Sequence, residues 1–582
     1  MYVKRHRVRR GDKEYVYLRL VESFRDEEGR VRHRVLRTLG REDQLKASGQ
    51  LEGLAGSFAR LDPPLTGARR EVGPLLLVRH YLVRLGLADI VARALPSRRR
   101  SRLSAAEAVS ALIANRLCAP TPLYDVAGWA QGAALREVFD IPPQLLNDDR
   151  LGRALEELAP LSEQLRGAVL LAAIERFGVD ASRLHLDLTT LRVAGAYPNS
   201  TLVAKGWGAD RRVARQVRTL AATNADGVPL YVRPHPGDAA ELTCIGAALE
   251  RLASLLPAGL VICADSALGH VKNLCAADRL SLRFVVPLRA DSGFARTYLG
   301  EVGPDALRPI RYVARRELRL SPKERTRYRG TLRPWVVTDP ETGLERSWRV
   351  AFIFSSEEEH SVAEARSRAL ERAEAALAKV RGGLGGRYYK TRRAVLAKVA
   401  TIVTPALSEL LRVTPGAKGT KPTLVWSRDE RAIAAASATD GIYALATNLP
   451  GRLSATAVLR LYKRQSLVEC AHRNLKGTLR VRPMFLHNDD RIEALISIVG
   501  LALVVFGLIE LDLRKALGPD EVLEGLLPEG RAARPTGRSI LAAFQGLGLT
   551  YTRDGIVLDR LTHSQRSILK LLGVPIPWPE QG

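Results

Sequence analysis

Sixteen consecutive residues without a charge, residues 494–509 (ALISIVGLALVVFGLI), must leave water, and that requirement constrains the fold more than any other feature of the chain. The run is short for a bilayer span, and Ser497, Gly500 and Gly507 interrupt it between Glu493 and Glu510. A buried helix in the middle of a large domain is the expectation. A chain of 582 residues, 46% of them hydrophobic, has material for such a core and length for roughly two to four domains.

The remaining surface is strongly basic. Lysine and arginine number 89 against 62 acids, a formal net charge of +27, which favours a polyanionic partner, nucleic acid before membrane. Five cysteines (Cys118, Cys244, Cys263, Cys275 and Cys470) are too few and scattered for a disulfide framework or a zinc ribbon, so a reducing interior is implied. The basic first residues lead into no uninterrupted apolar stretch, and a secretory signal peptide is not expected.

Along the chain, residues 1–65 alternate in KEYVYLRLVESFRD and RVRHRVLRTLG around the turn-prone DEEG, which predicts a small basic β unit. Residues 70–165 turn helical, and Ser104 with Glu107 three places on reads as a capping box. The patch at Arg98, Arg99, Arg100 and Arg102 inclines this accessory region toward DNA binding.

Residues 178–290 are the clearest. SRLHLDLTTLRV, VARQVRTLAAT and VPLYVRP read as strands, the last two joined by the tight turn NADG. A helix, the buried-type strand GLVICAD, a second helix and the strand LRFVVPLR follow. The expected fold class is α/β, a mixed sheet with helices on its faces, in the element order of the ribonuclease-H-like fold; that analogy alone says nothing of function. Residues 291–420 read as an inserted α+β domain, 421–520 as the second part of the core and 521–582 as a C-terminal extension of short helices. In the insert, Arg308, Arg311, Arg315, Arg316, Lys323, Arg325, Arg327 and Arg329 stand among Tyr312, Tyr328 and Trp335, a mixture suited to phosphate contact and stacking or to a solvated face. Trp207, between glycines, could flank DNA or anchor a loop.

Three acids stand out. Strict alternation puts Leu186 and Leu188 on one face of the first strand and His185, Asp187 and Thr189 on the other, where a charged group needs a cation, a metal or hydrogen-bond donors. Asp265 ends the run LVICAD, where a ligand could meet the sheet or a carboxylate could cap the next helix. Glu469 belongs to a series with Tyr462, Gln465, His472, Arg473 and Lys476 at offsets of 0, 3, 7, 10, 11 and 14, one side of a single helix over LSATAVLRLYKRQSLVECAHRNLKG; an ordinary solvated face has the same pattern.

The line YKRQSLVECAHRNLK resembles the glutamate-bearing signature of the IS4-type DDE transposases, particularly the IS1634-like branch. Tyr462, Gln465, Glu469 and Lys476 fall on the family's spacing of a tyrosine, a polar or basic residue, the catalytic glutamate and a lysine. HLDLTTL around Asp187, VICADSALGHVKNL around Asp265 and MFLHNDDRIEALISIVGLALVVFGLIE are similar to the same branch, as are EYVYLRLVESFRDEEGRVRHRVLRTLGR and DGIYALATNL, so the likeness spans nearly the whole chain. The departure is Gln465, where the broader family often has arginine. Either glutamine is tolerated, or Arg464 is steered in by local geometry, or a phosphate contact is weakened.

The resemblance implies a metal-dependent DNA transposase. Asp187, Asp265 and Glu469 would be both catalytic residues and metal ligands for two Mg²⁺ ions, with Mn²⁺ as substitute and Asp187 bridging. Tyr462, Arg464, Gln465, Arg473 and Lys476 would meet DNA. The implied partners are double-stranded DNA with terminal inverted repeats, target DNA, and a second copy of the chain in the synaptic complex, with no membrane; the implied location is the cytoplasm, beside nucleoid DNA. A metal-dependent nuclease without strand transfer and an inactive, transposase-derived DNA-binding protein are the alternatives. GGLGG lacks the GK[ST] of a phosphate loop, GWG is no dinucleotide fingerprint, His235 and His270 lack a zinc-ligand set, and no GxSxG elbow is present.

Overall fold

The computed structural model describes residues 2–11, 13–25, 31–48, 67–96, 102–208, 212–288, 293–301, 306–419, 421–464, 466–481, 486–518 and 521–581. They form two compact units, one of residues 72–545 and 562–575, the other of residues 1–71, 546–561 and 576–582.

In the smaller unit, β1 (Tyr2–Arg10), β2 (Lys13–Arg25) and β3 (Val31–Arg41) make an antiparallel meander in which Leu18 and Val21 are buried while most arginines face water. The short strand β4 (Arg69–Glu71) belongs to a second sheet of this unit, completed from the far end of the chain as described below.

The larger unit begins with helices, among them α1 (Leu75–Leu85), α2 (Ala105–Cys118) and α3 (Ser162–Phe177). The start of α2 is the expected capping box: the Glu107 amide donates to Ser104 Oγ at 3.2 Å, and the Ser104 amide donates to the Glu107 carboxylate at 2.6 Å. Of the basic patch before it, Arg102 is exposed, and Arg98, Arg99 and Arg100 lie outside the described residues.

A ten-stranded mixed sheet follows. It takes β5 (Arg183–Arg192), β6 (Ala204–Trp207), β7 (Val213–Asn224), β8 (Pro229–Pro236), β9 (Val261–Cys263), β10 (Arg283–Pro287), β11 (Arg308–Ile310), β12 (Tyr328–Thr338) and β13 (Glu345–Ser355), with α4 (Glu241–Leu255) and α5 (Val271–Arg279) between β8, β9 and β10. With β16 (Ile442–Thr447) as the tenth strand, the order is β11-β12-β13-β16-β10-β9-β5-β7, and both β6 and β8 pair with β7. Strands β5, β9 and β10 run parallel, and every other pairing is antiparallel.

The residues read as an insert divide in two. Strands β11 to β13 extend the main sheet, because β13 pairs with β16 (Ile442–Thr447) over six residues. A module with its own core then leaves the sheet: α6 (Ser356–Gly382), α7 (Arg392–Ile402), the hairpin β14 (Leu411–Lys418) and β15 (Lys421–Arg428), and α8 (Glu430–Ser437), gathered on Leu370, Leu377, Val380, Val395, Leu411 and Leu424.

The single helix expected across the glutamate signature is broken. Helix α9 (Ala455–Tyr462) stops at Tyr462, α10 (Ser466–Arg473) restarts after a turn closed by the Leu467 amide on the Arg464 carbonyl, and residues Asn474–Thr478 form one π turn. One straight helical face therefore does not join Tyr462 to Lys476. Helix α11 (Asp489–Leu517) is the expected buried helix: it is long and apolar enough to cross a membrane, but 94% of its most apolar window is inside the fold. Asn488 caps it by accepting from the Asp490 and Arg491 amides. In the C-terminal stretch β17 (Gly548–Thr552) and β18 (Gly555–Leu558), strands absent from our sequence reading, complete the small sheet with β4, and α12 (His563–Leu572) returns to the larger unit.

Helix α11 lies against β8 at two glycines. A Cβ at Gly500 would meet the Val232 Cβ at 2.8 Å, and one at Gly507 would meet Pro229 Cδ at 2.9 Å and Val228 Cα at 3.1 Å. Backbone and a proline ring cannot swing aside, so Gly507→Ala should lose about 1–2 kcal/mol of stability in urea unfolding despite alanine's better helix propensity. Unchanged or increased stability would show that this approach is not tight.

Candidate active site

Asp187 sits in the middle of β5, half-buried, between two neighbours. On one side it pairs across the antiparallel ladder with Ala221 of β7. On the other, β5 and β9 run parallel with His185 opposite Cys263, and continuing that register by two residues sets Asp187 abreast of Asp265, just past the end of β9. The two acids are 78 residues apart in sequence, and the parallel ladder ends two residues before each of them.

Each carboxylate is partly satisfied. Asp187 accepts from the Leu188 amide at 2.8 Å, and Asp265 accepts from the Ala267 amide at 3.0 Å, the turn-capping role considered for it above. Asp265 is exposed at the surface, yet the surrounding protein crowds its carboxyl. That crowding, followed by the negative charge of Asp187, holds its carboxyl above the usual range in spite of the Ala267 bond.

The third acid arrives on α10, which packs on β5 and β7. His472 is buried, with Nδ1 3.3 Å from the second oxygen of Asp187. Lys476, in the π turn, donates from Nζ to Thr189 Oγ1. Four residues of helix rise about 6 Å and two residues of strand about 6.6 Å, so these two contacts match a helix running alongside β5. The face of β5 carrying Asp187 and Thr189 is thus the face that α10 covers, as the alternation predicted. Glu469, one turn before His472, is exposed.

Glu469 lines a groove of about 1200 Å³. The other walls are cationic: Arg311 and Arg316 follow β11, Arg460, Lys463 and Arg464 lie around the end of α9, Arg514 and Lys515 end α11, and Arg534 comes from beyond it. Lys463 lies over the rings of Tyr328 and Tyr443, at 5.2 and 5.8 Å, and burial lowers its ammonium pKa. Neither Asp187 nor Asp265 is on the groove wall. Among the described residues no three His, Cys, Asp or Glu side chains converge on one point as for a single ion. Asp187 and Asp265 are near enough for their charges to interact, and Glu469 is carried by α10, which packs on β5.

The remaining expected DNA-facing residues separate. Tyr462 ends α9 half-buried on the groove wall, its phenol held above the ordinary range by burial, with Asp265 and Glu469 among the nearby charges that add to it. Arg464 is in the turn, where Nη1 donates to the Ala225 carbonyl at 3.2 Å, in the tight turn between β7 and β8 whose Asn224 side chain accepts from the Asp226 and Val228 amides. The broken helix frees Arg464 from the angle a straight helix would impose. Arg473 is exposed at the end of α10, and Gln465 lies outside the described residues. Sequence reasoning counted His472 only as one polar member of a face, and it had no signal for Arg514, Lys515 and Arg534, which reach the groove from other elements.

Two acids whose charges interact beside a parallel strand pair, and a separate groove at Glu469 walled by cations, suit a protein that handles a polyanion. Comparison with protein families makes that specific. Residues 180–505, more than half of the chain, match the transposase DDE domain, so the chain belongs to the DDE transposases. Residues 3–64 match the N-terminal domain of IS1634 family transposases, which places it in that branch, and residues 68–164 match a domain of unknown function. No curated protein matches the chain.

Two predictions follow from this geometry. Because folding raises the Asp265 pKa, its contribution to stability is fully present below the unfolded pKa of about 3.9 and is lost as pH rises through the folded value. Asp265→Asn keeps an oxygen for the Ala267 amide and removes the repulsion, so in chelator at pH 8 it should melt about a degree above the parent, with the gap closing near pH 4. An unchanged gap across that range would sink the electrostatic account. His472→Phe fills the same space without a donor to Asp187, and it should lower the rate of DNA cleavage by about 10–100-fold at unchanged DNA affinity, with His472→Asn partly restoring it. Full activity in the phenylalanine variant would show that Asp187 needs no such support.

Proposed function

We propose that this protein cleaves the ends of its own transposable element and joins the liberated 3′ hydroxyl to target DNA, with Asp187, Asp265 and Glu469 as the reacting centre's carboxylates. The observation that carries the reading is the parallel pairing of β5 with β9, which supports Asp187 and Asp265 as neighbours, together with the packing of the Glu469-bearing helix on β5. The strand order β8-β7-β5-β9-β10, three antiparallel strands followed by two parallel to the first, supports a ribonuclease-H-like core.

The donor set fits divalent metal. Asp187 and Asp265 repel one another, and a hard dication between two carboxylates relieves that repulsion while accepting only oxygen ligands. Asp187 and Asp265 would hold one Mg²⁺ or Mn²⁺, and Asp187 with Glu469 a second. When bound, such ions activate an attacking oxygen and stabilise a leaving one in an in-line displacement at phosphorus. The chain's own residues do the rest. His472 holds the Asp187 carboxylate in one orientation, Lys476 is tied to Thr189 beside it, and the arginines of the groove neutralise the phosphates of a strand passing Glu469. Joining two ends requires both in one complex, and a dimer on DNA is the assembly this activity needs.

Labelled duplexes bearing the element's ends, incubated with target plasmid in Mg²⁺, Mn²⁺ or chelator, test the reading. Metal-dependent nicking and joined products should appear, and Asp187→Asn and Glu469→Gln should each lose roughly 10³-fold or more in rate while still binding DNA. Cleavage without joined products would make the protein a nuclease, and specific binding with neither reaction would make it a DNA-binding descendant of a transposase.

A further inference from the structure

Between Glu374 and Glu409 the chain carries seven cations and no acid. The stretch runs from the end of α6 through the turn into α7 and most of that helix, in the module that leaves the main sheet. Within the module Arg381 lies over the Trp426 ring at 4.6 Å and Arg392 donates to the Pro415 carbonyl at 3.3 Å. Arg392 and Arg393 open α7 and Lys390 precedes it, so three cations stand at the helix end whose dipole is already positive, with no acid in the first turn to oppose them.

The turn is built rather than loose. The Gly385 amide donates to the Tyr389 carbonyl at 3.1 Å, the Tyr389 amide donates to the Gly386 carbonyl at 3.1 Å, and Leu384 and Tyr389 pack into the module's core. Gly385 takes φ +80°, and a Cβ at Gly383 would meet the Tyr389 ring at 3.0 Å. With those anchors turned inward, Arg387, Tyr388, Lys390 and Arg393 point outward, and Tyr388 is 76% exposed. Within the module the opposite charge is engaged elsewhere: Glu374 of α6 binds Arg428 at 2.7 Å, and Asp429 binds Arg412 at 2.5 Å.

We propose that the turn between α6 and α7 is a docking surface for duplex DNA, gripping the phosphate backbone through Arg387, Lys390 and Arg393, with Tyr388 against the sugar edge. The inference rests on the reading that this protein acts on DNA, but it concerns a surface separate from the acids and their groove. A protein partner would need an apolar centre, whereas the turn offers one exposed tyrosine among cations. Exposed cations on an anchored turn suit the phosphates of a duplex, and contact with backbone alone carries no base sequence.

The test compares the full-length protein with an Arg387→Gln, Lys390→Gln, Arg393→Gln triple variant and a charge-keeping Arg387→Lys, Arg393→Lys variant. Binding to labelled end duplex and to random duplex is titrated from about 50 to 200 mM KCl, with circular dichroism confirming the fold. The triple variant should lose affinity for both duplexes alike, and its slope of log K against log salt should be shallower by about 2–3, near 0.9 for each lost phosphate contact. The charge-keeping variant should retain the parent slope. A triple variant with the parent's slope and affinity overturns the proposal, as does unaltered DNA binding with altered self-association, which would make the turn a contact between copies. If the parent cleaves no ends but the slope falls as expected, the transposase reading fails and the docking surface stands. Cleavage by the parent with an unchanged slope leaves the enzyme and removes the surface.

Discussion

The larger unit depends on one contact, the passage of α11 against β8. A helix whose residues 494–509 are all apolar or small has only one stable place, and Gly500 and Gly507 let its backbone settle on Val232, Pro229 and Val228 there. Each large side chain removed from water contributes about 1.5–3 kcal/mol, so the run outweighs any single polar bond near it. Polar groups then fix its position: buried Arg166 of α3 donates to Ser497 at 2.5 Å and to Glu163 at 2.8 Å. Glu163 also accepts from Tyr231 of β8 and from Arg251 of α4. Because β8 is bonded to β7 and β7 to β5, the position of α11 is passed through the sheet to the strand that carries Asp187. The far end of the same helix delivers Arg514 and Lys515 to the groove beside Glu469.

Charge is distributed to suit a polyanionic substrate. Asp187 lies where the sheet meets α10, and the cations of the groove beside Glu469 come from separate elements. Burial, and after it the charge of Asp187, disfavours the ionised Asp265 carboxylate, and acids perturbed in this way gather at functional sites. His472, with Nδ1 3.3 Å from Asp187, joins the strand to the glutamate-bearing helix.

The strands of residues 178–290 were legible because their pattern is local: alternation marks β5, an apolar run marks β9, and NADG marks the turn between β7 and β8. The capping box at Ser104 and the buried helix α11 were legible for the same reason. The break between α9 and α10 was not. YKRQSLVECAHRNLK contains neither proline nor a helix-stopping glycine before Gly477, so local propensity continues through Lys463 and only the docking of α10 on β5 and β7 interrupts it. Strands β11 to β13 were read as belonging to a separate insert because nothing local says that β13 will find β16, almost ninety residues later in the chain. Short strands β17 and β18 were passed over for helices on either side, since their pairing with β4 lies across most of the chain.

Sequence alone determined the basic surface, the buried helix, the face of β5 on which Asp187 lies and, through spacing in the glutamate signature, the family. These depend on residue type and on periodicities of two and 3.6 residues, which a chain carries before it folds. Tertiary structure alone decided that β5 and β9 pair in parallel so that the charge of Asp187 reaches Asp265, that His472 meets Asp187, and that arginines from four separate segments wall one groove. Strand register and helix docking are settled by packing between segments far apart in sequence, where the free energy resides in the fit of two surfaces and in neither segment by itself.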